Sequence, residues 1–155
     1  MDALLTAIVL WLSANFDLPA VNTPPTIKMV PATEIMFRQY GADTPDKRRE
    51  VLALSRNAAT ADKGRAVVAV YDDAVTTVLL AEGWTGSTPG ELSVLVHEVV
   101  HHLQKLAGRT YECPGAREAL AYAAQEKWLG LFGRSLSSEF DIDPFTLKVS
   151  TSCGF

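Results

Sequence analysis

The chain has 155 residues, of which 48% are hydrophobic and 21% are charged, as in an ordinary folded domain. Its formal charge of -4 argues against nucleic acid or an anionic membrane as a partner, because both bind through basic patches. No repeat, low-complexity stretch or Gly/Ser linker divides the sequence, so a single domain over residues 1–155 is expected. A domain of this length buries roughly two-thirds of its unfolded surface, so any metal is expected to be functional rather than structural.

The first predicted element is a helix over the apolar run at residues 3–12. This run is too short to cross a bilayer, and Asp2 stands where a signal peptide would carry basic residues. Polar residues gather on one narrow stripe of a 3.6-residue period, which predicts a mostly buried amphipathic helix. No membrane span is therefore expected.

Proline-bracketed Thr26–Val30 favours a β-strand. Short helices are predicted at residues 33–40, closed by Gly41, and at residues 45–57, with a loop to residue 64. Residues 65–71 and 74–81 are rich in Val and Thr and predict a hairpin, with Asp72-Asp73 as its tight turn. The middle of the chain thus supplies a small sheet.

Thr88 and Glu91 match a capping box with proline at the first helical position, which predicts a helix from about residue 89 to residue 107, ended by Gly108. A further helix is predicted at residues 115–132, from the apolar spacing of Leu120, Ala124, Trp128 and Leu131. The two helices are joined by a short loop and are expected to pair.

The first of these helices contains His97-Glu98-Val99-Val100-His101, a His-Glu-x-x-His pattern. At about 100° per residue, both histidines fall outside the apolar face and about 40° apart, so both imidazoles can reach one ion. Glu98 lies about 60° further round, where its carboxylate can take a proton from zinc-bound water as that water attacks a carbonyl. The apolar face comprises Leu92, Leu95, Val96, Val99, Val100, Leu103 and Leu106.

A catalytic zinc usually has three protein ligands and one open position. Because every histidine of the chain lies in the motif helix, the third ligand is expected to be a carboxylate of the next helix, Glu118 or Glu126. In an antiparallel hairpin His101 is level with about residue 121, so Glu118 falls roughly 4 Å short and Glu126 overshoots by roughly 7 Å. Glu118 is therefore preferred, and Tyr122 and Gln125 share its face.

Other interpretations of the motif remain open. The pattern can arise by chance, in which case the histidines only hydrogen-bond within the helix pair. Glu98 and His101 also spell half of a di-iron carboxylate motif, although the sequence holds no second Glu-x-x-His. His102 projects about 140° from His97 and is expected behind a ligand or at the surface.

Residues 92–104, followed by Arg117-Glu118-Ala119-Leu120-Ala121-Tyr122, resemble the zincin metallopeptidases, in particular small bacterial proteins of the minimal gluzincin type. The resemblance covers about residues 65–132. It implies a small α+β fold whose short sheet or hairpin packs on the motif helix and a ligand-bearing helix. It also implies Zn²⁺ held by His97, His101 and Glu118, with Glu98 as general base. By the same analogy, residues 76–81 are the sheet edge that binds an extended peptide.

The sequence thus predicts a zinc-dependent hydrolase, a metallopeptidase acting on a peptide or protein substrate, and leaves the oligomeric state open. The alternative is a zinc-binding domain that is not a working enzyme, such as a sensor. A latent form is a further version, in which the Cys153 thiolate occupies the open position.

Cys113 and Cys153 match no metal-binding spacing. A disulfide between them would tie the C-terminal tail to the loop before a helix, and two free thiols are the alternative. A bridge would favour a periplasmic or secreted location over the cytoplasm.

Overall fold

The computed structural model describes residues 1–58 and 68–154. Its architecture is α+β, which confirms the predicted fold class. The described elements, in chain order, are α1 (Asp2–Asn15), β1 (Thr26–Val30), α2 (Ala32–Gln39), α3 (Pro45–Ala58), β2 (Ala69–Asp72), β3 (Thr77–Ala81), α4 (Pro89–Leu106), α5 (Pro114–Gly130), α6 (Leu136–Phe140) and α7 (Pro144–Ser150).

The three described strands form one sheet in the order β1-β3-β2. β1 runs parallel to β3, with Thr26 opposite Thr77, and β2 runs antiparallel to it, with Asp72 opposite Thr77. All five residues of β3 are buried, because helices cover both faces of this central strand. Its alternate side chains enter two cores, Val78 and Leu80 in one and Leu79 and Ala81 in the other.

Helix α4 is the centre of the larger core, and it contacts α1, α5 and both strands of the hairpin. Five residues of its predicted apolar face are fully buried: Leu95, Val96, Val99, Val100 and Leu103. Leu106, at the end of the helix, is 43% exposed, so the apolar face is shorter than predicted. Each large aliphatic side chain buried here contributes roughly 2 kcal/mol, so the packing of this face fixes how the motif helix sits against the sheet.

The predicted N-terminal helix is present as α1. Its inner side contributes Leu5, Ile8, Val9 and Leu12 to the larger core. None of the described helices combines the length and the apolar character needed to cross a membrane.

The hairpin differs from its prediction at the turn. β2 extends to Asp72 and β3 begins at Thr77, so four residues rather than two connect the strands. The Asp72 carboxylate accepts a hydrogen bond of 3.0 Å from the Ala74 backbone N–H, and Thr76 adopts φ 49°. This side-chain-capped turn competes with the tight two-residue turn. The predicted strand at residues 65–67 and the predicted loop at residues 59–64 lie outside the described residues.

The assignment of residues 76–81 as a free sheet edge was wrong. β3 is bonded on both sides, because Thr26–Val30 pairs with it in parallel. Nothing in the chain order indicates this crossover. Among the described strands, β1 and β2 are the two edges of the sheet, and β2 is the edge next to β3 in the hairpin.

The predicted capping box at α4 is half formed. The Thr88 hydroxyl accepts a hydrogen bond of 3.1 Å from the Glu91 backbone N–H, as predicted. The Glu91 carboxylate, however, accepts from the Thr85 hydroxyl at 2.8 Å and from the Ser87 N–H at 3.0 Å. It therefore orders the loop before the helix, and these hydrogen bonds hold the pKa of Glu91 below its usual value despite some desolvation.

Candidate metal centre

Helix α4 presents His97 and His101 on the same side, one turn apart. Their ring centroids are 5.0 Å apart and the rings are nearly perpendicular. Both residues are buried, at 8% and 6% exposure. A buried pair of imidazoles requires polar partners, and these come from α5 and from α4 itself.

Glu118 of α5 reaches both histidines. One of its carboxylate oxygens lies 3.0 Å from His97 Nε2 and the other lies 3.2 Å from His101 Nε2. One ligand atom from each of the three residues falls within 4.8 Å of the other two. The structure thus brings together the three residues that were proposed as ligands.

Glu126 lies elsewhere. Its carboxylate accepts a hydrogen bond of 2.6 Å from the backbone N–H of Leu136 at the start of α6. Contacts between α4 and α5 pair Gln104 with Arg117 and His97 with Gln125, so the two helices are antiparallel. The assumed hairpin geometry is therefore present, and it places Glu118 rather than Glu126 at the histidines.

The arrangement of His97, His101 and Glu118 favours a positive charge, either a proton or a cation, between the two imidazoles and the carboxylate. Burial alone would raise the pKa of Glu118, but hydrogen bonds from His101 and His97 outweigh burial and hold this pKa well below its usual value. Burial would likewise lower the pKa of His101, but the hydrogen bond to Glu118 and the charge of Glu98 raise it above 6.5. Protons on the imidazoles or a metal cation can supply this positive charge.

Each motif histidine has one buried glutamine hydrogen-bonded to Nδ1, the ring nitrogen that faces away from Glu118. Gln125 Oε1 lies 3.0 Å from His97 Nδ1, and Gln104 Oε1 lies 3.0 Å from His101 Nδ1. An amide oxygen only accepts, so each Nδ1 must carry a proton. In the neutral imidazoles both Nε2 lone pairs then face Glu118. Gln125 was noted on the face of Glu118, whereas Gln104 was missed, although its position three residues after His101 signals contact on a helix.

Glu98 is 8% exposed and lines the same cleft as the three grouped residues. Within the part of the chain that the structure describes, its carboxylate is not among the groups close enough to act as a ligand. Its negative charge contributes to the raised pKa of His101. It therefore lies beside the cluster and outside it, the position that the helix geometry predicts for a base.

Tyr122 packs edge-on against the His97 ring, with centroids 4.7 Å apart. Burial, together with the charges of Glu118 and Glu98, raises the pKa of its phenol. The phenol, protonated at neutral pH even at its ordinary pKa, is a hydrogen-bond donor at the cleft, which Tyr122 also lines.

His102 was expected behind a ligand or at the surface, and neither expectation is correct. It is 3% exposed and points away from the cluster. Its Nε2–H donates to the Thr23 carbonyl at 2.8 Å, so its Nδ1 accepts from the Tyr71 hydroxyl at 3.0 Å. Burial lowers the pKa of His102 and raises that of Tyr71 to about 12. His102 therefore joins β2 to the segment before β1 as a neutral structural residue.

The cluster opens into a cleft of about 750 Å³. The cleft is lined by the end of α2, by β2, by α4 as far as His101, by α5, and by the end of α6 with the residues that follow it. At the α6 end the wall includes Phe140, and a side chain added at Gly90 would lie 3.9 Å from the tip of that ring. Both motif histidines and Glu98 therefore line the same cleft as Phe140.

Cys113 and Cys153 form a disulfide. Cys113 immediately precedes α5, so the bond ties the C-terminal tail to the start of the helix that carries Glu118. The tail is packed closely there, since a side chain at Gly115 would meet the Ser150 carbonyl oxygen at 2.7 Å. With Cys153 bonded in this way, no cysteine thiolate among the described residues is available to block the metal position.

Comparison with known proteins and families relates the chain to a family of unknown function. No curated protein and no solved structure matches the chain. A family model described as a domain of unknown function (DUF6647) matches residues 1–154. Since that match spans nearly the whole sequence, the chain belongs to the DUF6647 family.

Proposed function

We propose that the protein is a zinc-dependent hydrolase, specifically a metallopeptidase of the gluzincin kind. The observation that carries the proposal is the convergence of His97 Nε2, His101 Nε2 and the Glu118 carboxylate within 4.8 Å. Each Nδ1 donates to a glutamine oxygen, so Nε2 is the nitrogen that faces Glu118, and there a cation could replace the proton shared with this carboxylate.

The donor set fits zinc. Two imidazoles and one carboxylate are a usual set for a catalytic zinc with one position left open. Calcium and magnesium prefer sites made only of oxygen atoms. A structural zinc normally has four protein ligands, often cysteines, whereas both cysteines of this chain are in the disulfide.

In this proposal His97, His101 and Glu118 would hold the ion. Bound zinc lowers the pKa of water to near 7 and polarises a carbonyl oxygen. The Glu98 carboxylate accepts the proton released when water attacks the substrate carbonyl and passes it to the departing amine nitrogen. The Tyr122 hydroxyl, which lines the cleft and is protonated at neutral pH as phenols are, donates to the oxygen that becomes negative.

Support for a peptide as the substrate comes from β2. Residues 68–71, which comprise the start of β2 and the residue before it, line the cleft. β2 is an edge strand among the described strands. An extended peptide could therefore pair with the β2 backbone and pass over the cluster, with side chains in the cleft.

Metal content tests the first half of the proposal. Untagged protein supplemented with zinc and then dialysed should retain about one equivalent, and His97→Ala should retain none. Less than about half an equivalent of zinc in the unmodified protein would mean that the histidines have only a structural role.

Peptide hydrolysis is tested by incubating a peptide library with the zinc-loaded protein; cleavage should occur and a chelator should abolish it. Full metal content without cleavage would favour the non-enzymatic alternative.

A further inference from the structure

The two glutamines that bond to the histidines differ in the partner of the amide nitrogen, which is a hydroxyl for Gln125 and a backbone carbonyl for Gln104. We infer that Gln104 and Gln125 are positioning residues that fix the reactive tautomer of both histidines, and that a carboxylate can replace the amide at 125 but not at 104. The inference rests on the proposed metal site. It deepens that proposal by naming the residues that aim its ligands.

The orientation of the Gln125 amide is set by Ser93. The Ser93 hydroxyl donates to the Gly90 carbonyl at 2.7 Å, so it must accept from Gln125 Nε2, which lies 3.2 Å away. The amide oxygen is then the atom that faces His97 Nδ1. Ser93 and Gln125 are 0% and 5% exposed, so bulk water does not offer an alternative partner.

The orientation of the Gln104 amide is set by a backbone carbonyl. Gln104 Nε2 donates to the Arg117 carbonyl at 3.0 Å, and Gln104 Oε1 faces His101 Nδ1 at 3.0 Å. Gln104 is 1% exposed. Because Arg117 precedes Glu118, this amide links one histidine to the backbone beside the third ligand.

Loss of either amide oxygen would free the imidazole to carry its proton on the inner nitrogen. That nitrogen could then no longer bind a metal without first losing the proton. Partners behind metal-bound histidines typically contribute about 10- to 100-fold in metal affinity. Gln104→Met and Gln125→Met keep the side-chain volume and remove the strong acceptor, so each should weaken zinc binding by about this factor.

Replacement by glutamate separates the two positions. At 125 a carboxylate accepts from His97 Nδ1–H, and the Ser93 hydroxyl can rotate from the Gly90 carbonyl to donate to the second oxygen. At 104 the second carboxylate oxygen would face the Arg117 carbonyl, and two acceptors without a proton between them repel. Gln125→Glu should therefore bind zinc within a few-fold of the unmodified protein, while Gln104→Glu should bind at least as poorly as Gln104→Met.

The test is zinc affinity by competition with a chromogenic chelator, together with the visible absorption spectrum of the cobalt-substituted protein. The unmodified protein and His97→Ala are measured first. Gln39→Met is the matched control, because this remaining glutamine of the chain is exposed on α2. Gln39 lines the cleft, but it is not one of the groups bonded to His97 or His101, so affinity and spectrum should be unchanged. Thermal melts of the metal-free variants report whether each one folds.

The expected result is weak binding by both methionine variants and by Gln104→Glu, with near-normal affinity and cobalt spectrum for Gln125→Glu. Methionine variants that fold and bind zinc as well as the unmodified protein would overturn the inference and leave the metal site intact. A Gln125→Glu variant that folds but binds as poorly as Gln125→Met would also overturn it. If a methionine variant does not fold, the two glutamate variants decide, and equal affinities for these two would contradict the inference. Absence of zinc binding by the unmodified protein would remove the proposed function itself.

Discussion

Arg117 binds Asp73 through two parallel hydrogen bonds, Nη1 to one carboxylate oxygen at 2.9 Å and Nη2 to the other at 2.8 Å. Asp73 follows β2, and Arg117 lies next to Glu118 on α5. The pair therefore ties the turn of the hairpin to the helix at the proposed third ligand. It also keeps the pKa of Arg117 above its usual value, despite the opposing effect of burial.

Asp73→Asn removes the charged acceptor of this pair. Both side chains are partly exposed, at 30% and 47%, so the expected loss of unfolding free energy is about 1 kcal/mol. Zinc affinity should fall a few-fold, because the backbone beside Glu118 loses a tether. Chemical denaturation and zinc competition measure the two effects. Asp46→Asn, which removes an ion pair with Arg49 whose side chains are 77% and 88% exposed, is the control; it should leave zinc affinity unchanged and cost less stability than Asp73→Asn.

The choice of third ligand is tested by paired alanine variants. Glu118→Ala leaves two imidazoles and solvent around the ion, so zinc affinity should fall severely and zinc should no longer raise the melting temperature. Glu126→Ala should keep normal affinity, since its carboxylate caps α6, and it should cost at most about 1 kcal/mol of stability. Metal titration of both variants decides. Loss of zinc by Glu126→Ala with retention by Glu118→Ala would mean that the helix register is wrong.

Stabilisation by zinc should depend on pH. In metal-free protein the raised pKa of His101 stabilises the fold below its unfolded value of 6.5, and this stabilisation is lost as pH rises through the folded pKa. The lowered pKa of Glu118 stabilises above 4.5 and is lost as pH falls. Zinc competes with the proton on His101, so the gain in melting temperature should grow as the pH rises from below 6.5 through the raised folded pKa of His101. A gain that is constant over this range, measured by differential scanning fluorimetry, would contradict competition with that proton.

The disulfide should be present and strongly stabilising. Intact mass under non-reducing conditions should be two hydrogens lower than after reduction. A bond that closes a loop with a sequence separation of 40 contributes about 4 kcal/mol in the chain-entropy description. Cys153→Ser should therefore lower the midpoint of urea denaturation substantially. Two alkylatable thiols in protein isolated from its native compartment would show that the bond does not form there.

The parts of the site that depend on local periodicity were predictable from sequence. Helix geometry alone places His97 and His101 on one side of α4 with Glu98 beside them, and the short loop after α4 makes the position of Glu118 calculable to within one turn. The role of Gln104 was not predicted, because it depends on a hydrogen bond from its side chain to the Arg117 carbonyl in the neighbouring helix. Such a contact depends on side-chain packing between helices, which no short sequence pattern specifies.

The sheet order was not predictable in the same way. Thr26–Val30 was correctly predicted as a strand, but its pairing partner lies about fifty residues further along the chain. Strand pairing over that distance is decided by which apolar faces the helices cover. The burial of all of β3 shows the outcome. The same limit applies to Phe140, whose place on the cleft wall depends on how the tail folds back over α5.

The role of Glu98 as the base of the proposed zinc-dependent peptidase is tested by comparing Glu98→Gln with the unmodified protein at full zinc occupancy. Both proteins should bind one zinc, because Glu98 lies outside the ligand group. Cleavage of a peptide that the unmodified protein cuts should fall by roughly 100-fold or more in kcat. A Glu98→Gln variant that holds zinc and cleaves at nearly the original rate would contradict the account.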